Sequence, residues 1–141
     1  MRDGFVKVAA ATLNTKVADV EHNKREIFRL IDETIENGAK IVVFPELCIT
    51  GYTCGDLFSQ DILLSQSAKA LEEIAAYTTG KDGLFFVGLP YVVCNKLYNV
   101  AAAVCDGEVI GMVTKTFIPH YSEFYELRQL QPGPQKADWI P

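Results

Sequence analysis

A layered α/β fold (of the α+β kind, with a mixed sheet and helices on one face) follows from three features of the sequence. Apolar runs of strand length alternate with helical periodicity over the first ninety residues. An Asp106-Gly107 pair then separates two further apolar runs, the signature of an antiparallel hairpin. Finally, 141 residues with 49% hydrophobic and 22% charged content describe one ordinary globular domain, able to bury roughly two thirds of its unfolded surface.

Residues 5–13 are apolar, rich in small side chains and poor in charge, which predicts a strand buried on both faces. Asp19 is placed to cap the helix that follows, whose inward face is Val20, Ile27, Leu30, Ile31 and Ile35, with Gly38 as its stop. Ile41, Val42, Val43 and Phe44 form a short strand ended by Pro45. Residues 47–60 carry two glycines, two threonines, a serine and an aspartate, and read as a structured loop. A second helix is expected between Asp61 and Thr78, with Leu64, Leu71, Ile74 and Ala75 inward. Residues 84–89 form a strand ended by Pro90, and residues 97–105 and 108–114 form the hairpin around Asp106-Gly107. From Pro119 the pattern is aperiodic, and Pro132-Gly133-Pro134 breaks any regular element.

The formal charge of −5, with 13 scattered Lys and Arg, argues against nucleic acid or an anionic membrane surface as partner. No apolar run has the length of a bilayer-spanning helix, and Met1-Arg2-Asp3-Gly4 opens no signal-peptide core, so a cytoplasmic location is the default expectation. The four cysteines form no Cys-x-x-Cys pair and neither histidine stands at ligand spacing from them, so no metal site is expected. Cys94 and Cys105, in strand-like runs, read as buried free thiols. Cys48 and Cys54 lie in the loop beside an acidic motif, where that reading is less secure.

Three places can carry chemistry. Glu46 ends the Ile41-to-Phe44 strand, where α/β proteins place catalytic groups, and burial there would make it a competent base near neutral pH. The residue type and position also fit a carboxylate that merely opens a solvated loop, as most loop carboxylates do. Lys115 follows the last strand and can face a pocket, stabilising an oxyanion, or can be a protective lysine on a sheet edge. Among Tyr121, Glu123, Tyr125, Glu126 and Arg128, Glu126 and Arg128 can pair with each other, or Glu126 can orient Lys115. Spacing alone leaves these alternatives open.

Taken together, Phe44-Pro45-Glu46-Leu47 and a strand-borne Lys115 resemble the catalytic elements of the nitrilase superfamily, the carbon–nitrogen hydrolases. Within it, residues 45–58 (PELCITGYTCGDLF), 97–101 (LYNVA) and 115–126 (KTFIPHYSEFYE) are similar to the glutaminase domains of glutamine-dependent NAD synthetases. This resemblance, which runs over essentially the whole chain, implies a four-layer αββα sandwich of which residues 1–141 form the N-terminal portion. It implies Glu46 as general base, Lys115 as the cation that stabilises the tetrahedral intermediate, and Glu126 as the acid ordering lysine and substrate. Tyr52 and Tyr121 are implied to line a glutamine pocket. ATP and magnesium are implied only for a synthetase domain that this sequence lacks; no cofactor is expected here. Glutamine, the remainder of the domain and a homo-oligomer are the implied partners.

The family's nucleophilic cysteine lies on a strand downstream of the lysine, whereas no cysteine follows Cys105. As it stands, the chain is therefore expected not to hydrolyse glutamine. It is also expected to expose apolar sheet surface and to be aggregation-prone unless other chain completes it. Two alternatives accompany this reading: part of another nitrilase-type amidase acting on a carbamoyl or ω-amide substrate, or a non-catalytic module with a nitrilase half-fold.

Overall fold

The computed structural model describes residues 4–134; residues 1–3, part of the stretch inspected for a signal peptide, lie outside them. The element order is β1 (Val8–Ala10), α1 (Val20–Glu36), β2 (Ile41–Val43), a 3₁₀ segment (Tyr52–Ser59), α2 (Asp61–Tyr77), β3 (Leu84–Val93), β4 (Lys96–Cys105), β5 (Glu108–Thr114) and a 3₁₀ turn (Glu126–Arg128). The strands form one mixed sheet in sequential order β1-β2-β3-β4-β5. β1, β2 and β3 run parallel through helical crossovers, and β3, β4 and β5 are an antiparallel meander. This is the mixed α/β layering that the alternating pattern predicts.

Both helices cover one face of the sheet. Val42, Phe85, Val87, Leu89, Val100, Ala102 and Val104 point into them, all essentially inaccessible. Ile27 and Ile31 of α1 and Leu71 and Ile74 of α2 answer from the other side. Each large side chain so buried contributes about 1.5–3 kcal/mol relative to exposure. Asp19 caps α1, its Oδ1 accepting from the His22 N–H at 3.0 Å, and Gly38 (φ 81°) turns the chain out of the helix. Phe28 of α1 stacks on Tyr77 of α2 with centroids 4.0 Å apart. Beside them Asp32 accepts from the Tyr77 hydroxyl (2.5 Å) and from Lys81 (2.7 Å).

The opposite face is uncovered among the described residues. By register it carries Val8, Ala10, Ile41, Val43, Phe86, Gly88, Ala101, Ala103 and Val113. Val8 and Val113 are 65% and 72% exposed. The expected apolar exposure is thus present, and it corrects the first strand. β1 is three residues long, not nine, and lies at the sheet edge, so it is not buried on both faces.

Pro90 does not end β3, which continues to Val93. Backbone groups of Leu84, Phe86 and Gly88 bond toward the β2 side, to Lys40, Phe44 and Ile49. Pro90 shares that parity, so its missing N–H points past the end of β2 and costs no ladder bond. Two smaller differences follow from local geometry. Leu63, not Leu64, is the fully buried first-turn residue of α2. The β3–β4 hairpin turns on Cys94-Asn95, both with positive φ (47° and 60°), which makes Cys94 exposed, and Cys105, at the far end of β4 beside the Asp106-Gly107 turn, is only half-buried. Cys48 and Cys54 are the buried thiols instead. No helix among the described residues is long and apolar enough to cross a membrane.

Candidate active site

The loop after β2 is folded by contact with β3. Leu47 adopts a left-handed backbone (φ 50°) while fully buried, a costly conformation for a bulky residue. The bend is held by Gly51 N–H donating to the Leu47 carbonyl (2.7 Å) and Ile49 N–H donating to the Gly88 carbonyl (3.2 Å). Gly88 lies directly beneath: a Cβ there would stand 2.5 Å from Leu47 N and 2.6 Å from Pro45 O. The turn therefore rests on bare backbone, sending Leu47 into the core and leaving Glu46 on the uncovered face.

Lys115 arrives where β5 leaves the sheet, its N–H donating to the Asn99 carbonyl at 2.8 Å. Its Nζ lies 2.7 Å from Glu46 Oε1 and 3.0 Å from Glu126 Oε2. Glu126 is delivered by the Glu126–Arg128 turn, anchored by the buried Leu130, whose N–H donates to the Glu126 carbonyl at 2.8 Å. The segment then closes on the strand ends through Gln131 N–H to Leu97 O and Gly133 N–H to Lys115 O. The structure thus brings Glu46, Lys115 and Glu126 together across 69 and 11 residues of sequence.

Burial of Lys115 disfavours its charge, but its hydrogen bonds to Glu46 and then Glu126 outweigh that and raise its pKa. Of the two alternatives for Glu126, the contact with Lys115 is the one formed, and Arg128 instead faces Asp56 at 3.4 Å. Tyr52 joins the cluster, its hydroxyl donating to Glu126 Oε1 at 2.6 Å. Its pKa is raised by partial burial first and by that carboxylate second. Tyr121 stands apart, 68% exposed and edge-on to Phe124 at 5.4 Å. Of the two alternatives for Glu46, buried base or solvated carboxylate, its environment is the solvated one: its side chain is 43% exposed, because the face it occupies is open.

Sequence reading missed one residue of the cluster. Asn99 of β4 is 4% exposed and its Nδ2 donates to Glu46 Oε1. A groove of about 330 Å³ on the open face is lined by Glu46, Asn99 and Lys115 together with Val43, Phe86 and Val113. None of the four thiols lies in it. Burial pushes the Cys48 thiol up to about 12 and raises that of Cys54, so neither is a thiolate near neutral pH. Cys105 stands six residues from Asn99 along β4, roughly 20 Å at about 3.3 Å per residue, and Cys94 lies beyond the other end of β4 in the turn from β3.

Comparison with known proteins accords with this arrangement. The carbon-nitrogen hydrolase family profile matches residues 7–131. The chain is 40% identical over 129 residues to the glutamine-dependent NAD(+) synthetase of Aquifex aeolicus, covering 92% of this chain and 22% of that protein. It is 36% identical over 130 residues to the Mycobacterium tuberculosis synthetase, covering 92% of this chain and 19% of that one. It therefore spans about a fifth of the length of these relatives. Among solved structures, the glutamine-dependent NAD(+) synthetase from Cytophaga hutchinsonii superposes with TM-score 0.88 at 32% identity, over 94% of this chain and 22% of that one. An amidase of the nitrilase superfamily from Nesterenkonia shares the fold, with TM-score 0.80 at 20% identity over 95% of this chain and 52% of that one. With its sheet, its helices and the matched region all in agreement, this chain belongs to the carbon–nitrogen hydrolase family.

Proposed function

We propose that this chain provides the base, the cation and the ordering carboxylate of a glutamine-hydrolysing centre of the NAD synthetase type, completed by a cysteine from outside residues 1–141. The observation that carries the reading is Lys115 Nζ held between Glu46 (2.7 Å) and Glu126 (3.0 Å) at the rim of an open groove. Glu46 takes the proton of the incoming thiol, and the sulfur attacks the side-chain amide carbon of glutamine. The oxygen that becomes negative lies against the Lys115 ammonium. Collapse expels ammonia with the proton held by Glu46, and Glu46 then activates water to release glutamate from the thioester. Tyr52 and Tyr121 are assigned to the glutamine pocket.

In the same proposal, and as the family resemblance implies, the ammonia serves amidation of nicotinic acid adenine dinucleotide in an ATP- and magnesium-using domain; the matched relatives are glutamine-dependent NAD(+) synthetases. The surroundings are cytoplasmic, the centre itself needs no cofactor, and the completed domain associates as a homo-oligomer.

The test is a chimera in which this chain replaces the matching 129 residues of the Aquifex aeolicus synthetase. It should hydrolyse glutamine, and Glu46→Gln or Lys115→Met should lower kcat by about 10²–10⁴-fold while ammonia-driven synthesis persists. A chimera that makes NAD from ammonia but never from glutamine would sink the proposal.

A further inference from the structure

We infer that Asn99 is a positioning residue that decides which oxygen of Glu46 acts as the base; this rests on the proposed role of Glu46. Both donors that reach the carboxylate, Asn99 Nδ2 and Lys115 Nζ, converge on Oε1. Among the described residues no donor reaches Oε2. An oxygen that already accepts two hydrogen bonds has little capacity left for a proton, whereas its partner keeps its lone pairs free. The thiol proton is therefore delivered to Oε2: the S–H bond breaks, an O–H bond forms on Oε2, and the sulfur keeps the electron pair.

Lys115 alone cannot impose this choice, because its ammonium sits on a flexible four-carbon stem that can follow either oxygen. Asn99 can. It is buried in β4, next to the inaccessible Val100, and its own carbonyl accepts the Lys115 N–H. The residue that holds Oε1 thus also holds the backbone from which the lysine springs. A carboxylate turned partway out of this plane would leave the Asn99 amide buried and unpaired, whereas a half-turn only renames the oxygens, so it is the position facing away from Asn99 and Lys115 that takes the proton.

Two substitutions separate this role from mere packing. Asn99→Ala removes the donor, and in the chimera kcat/KM for glutamine should fall about 10- to 100-fold, the range for one hydrogen bond to a charged group. Asn99→Asp keeps the shape but can donate only as the neutral acid, so its activity should recover as pH falls, while Asn99→Ala stays low throughout. If the two variants lose activity equally, with unchanged pH profiles, Asn99 is a packing residue and the inference is wrong.

A second readout needs no turnover, so it survives failure of the glutaminase reading itself. In the folded chimera with ¹⁵N-labelled asparagine, one Asn99 side-chain proton should resonate downfield and move in step with titration of a ¹³C-labelled Glu46 carboxyl. Glu46→Gln should abolish that displacement. An Asn99 amide with solvent-like shifts at every pH overturns the inference whatever the chimera does.

Discussion

Leu47, Gly88 and Asn99 are three residues whose individual chemistry is unremarkable, yet together they aim Glu46. Gly88 has no room for a methyl group beneath the Pro45-to-Leu47 turn. Gly88→Ala must therefore lift that turn and carry Glu46 away from Lys115. The expected result is destabilisation of about 1–3 kcal/mol by thermal melting, with glutamine hydrolysis in the chimera lowered beyond what the remaining folded fraction explains. A variant that melts like the parent and keeps its rate would show that the turn does not depend on this contact. Glu46, Lys115 and Glu126 were legible in the sequence because each sits in a long block of family-like residues. Asn99 was not, since one asparagine in a strand carries no signature until its partner across 53 residues is known. Whether Glu46 is buried or solvated stayed open in the sequence, because burial depends on layers that local pattern does not describe.

At the scale of elements, helix signals translated well. The Asp19 cap and the Gly38 stop lie where expected, and Val20, Ile27, Leu30 and Ile31 are buried as their helical spacing requires, while Ile35 is half-buried. Asp19→Ala should cost about 1 kcal/mol, read as a fall of a few degrees in Tm. Strand limits translated less well, because Pro90 breaks a strand only when its nitrogen faces a neighbour, and that parity is set by pairing. The two helices are further joined by Asp32, whose carboxyl is held below its usual range first by Lys81 and then by the Tyr77 hydroxyl. A carboxyl lowered by folding adds stability above its unfolded pKa of about 3.9, and that stability is lost as pH falls through the folded value. Melting temperature should therefore decline as pH drops below about 4, and Asp32→Asn should both lower Tm at pH 7 and flatten that decline. A parallel decline in the variant would assign the acid sensitivity elsewhere.

The whole molecule is two layers, with one face of its sheet left apolar. Val8, Val43 and Val113 are too exposed on this face for a self-sufficient surface. The 141-residue chain should bind an apolar dye and sediment as mixed oligomers, and Val43→Lys with Val113→Lys should reduce both. A monodisperse, dye-free parent would mean that this face is tolerated in water. The sequential strand order has a kinetic consequence as well. Every strand pairs with its neighbour in sequence, so each emerging segment finds its partner already made. At about 5–20 residues per second, the 27 residues between Gly88, on which the Glu46 turn rests, and Lys115 occupy on the order of 1–5 s of synthesis. On the ribosome the base is thus seated on its turn first, the ammonium reaches it seconds later, and Glu126 closes the cluster last.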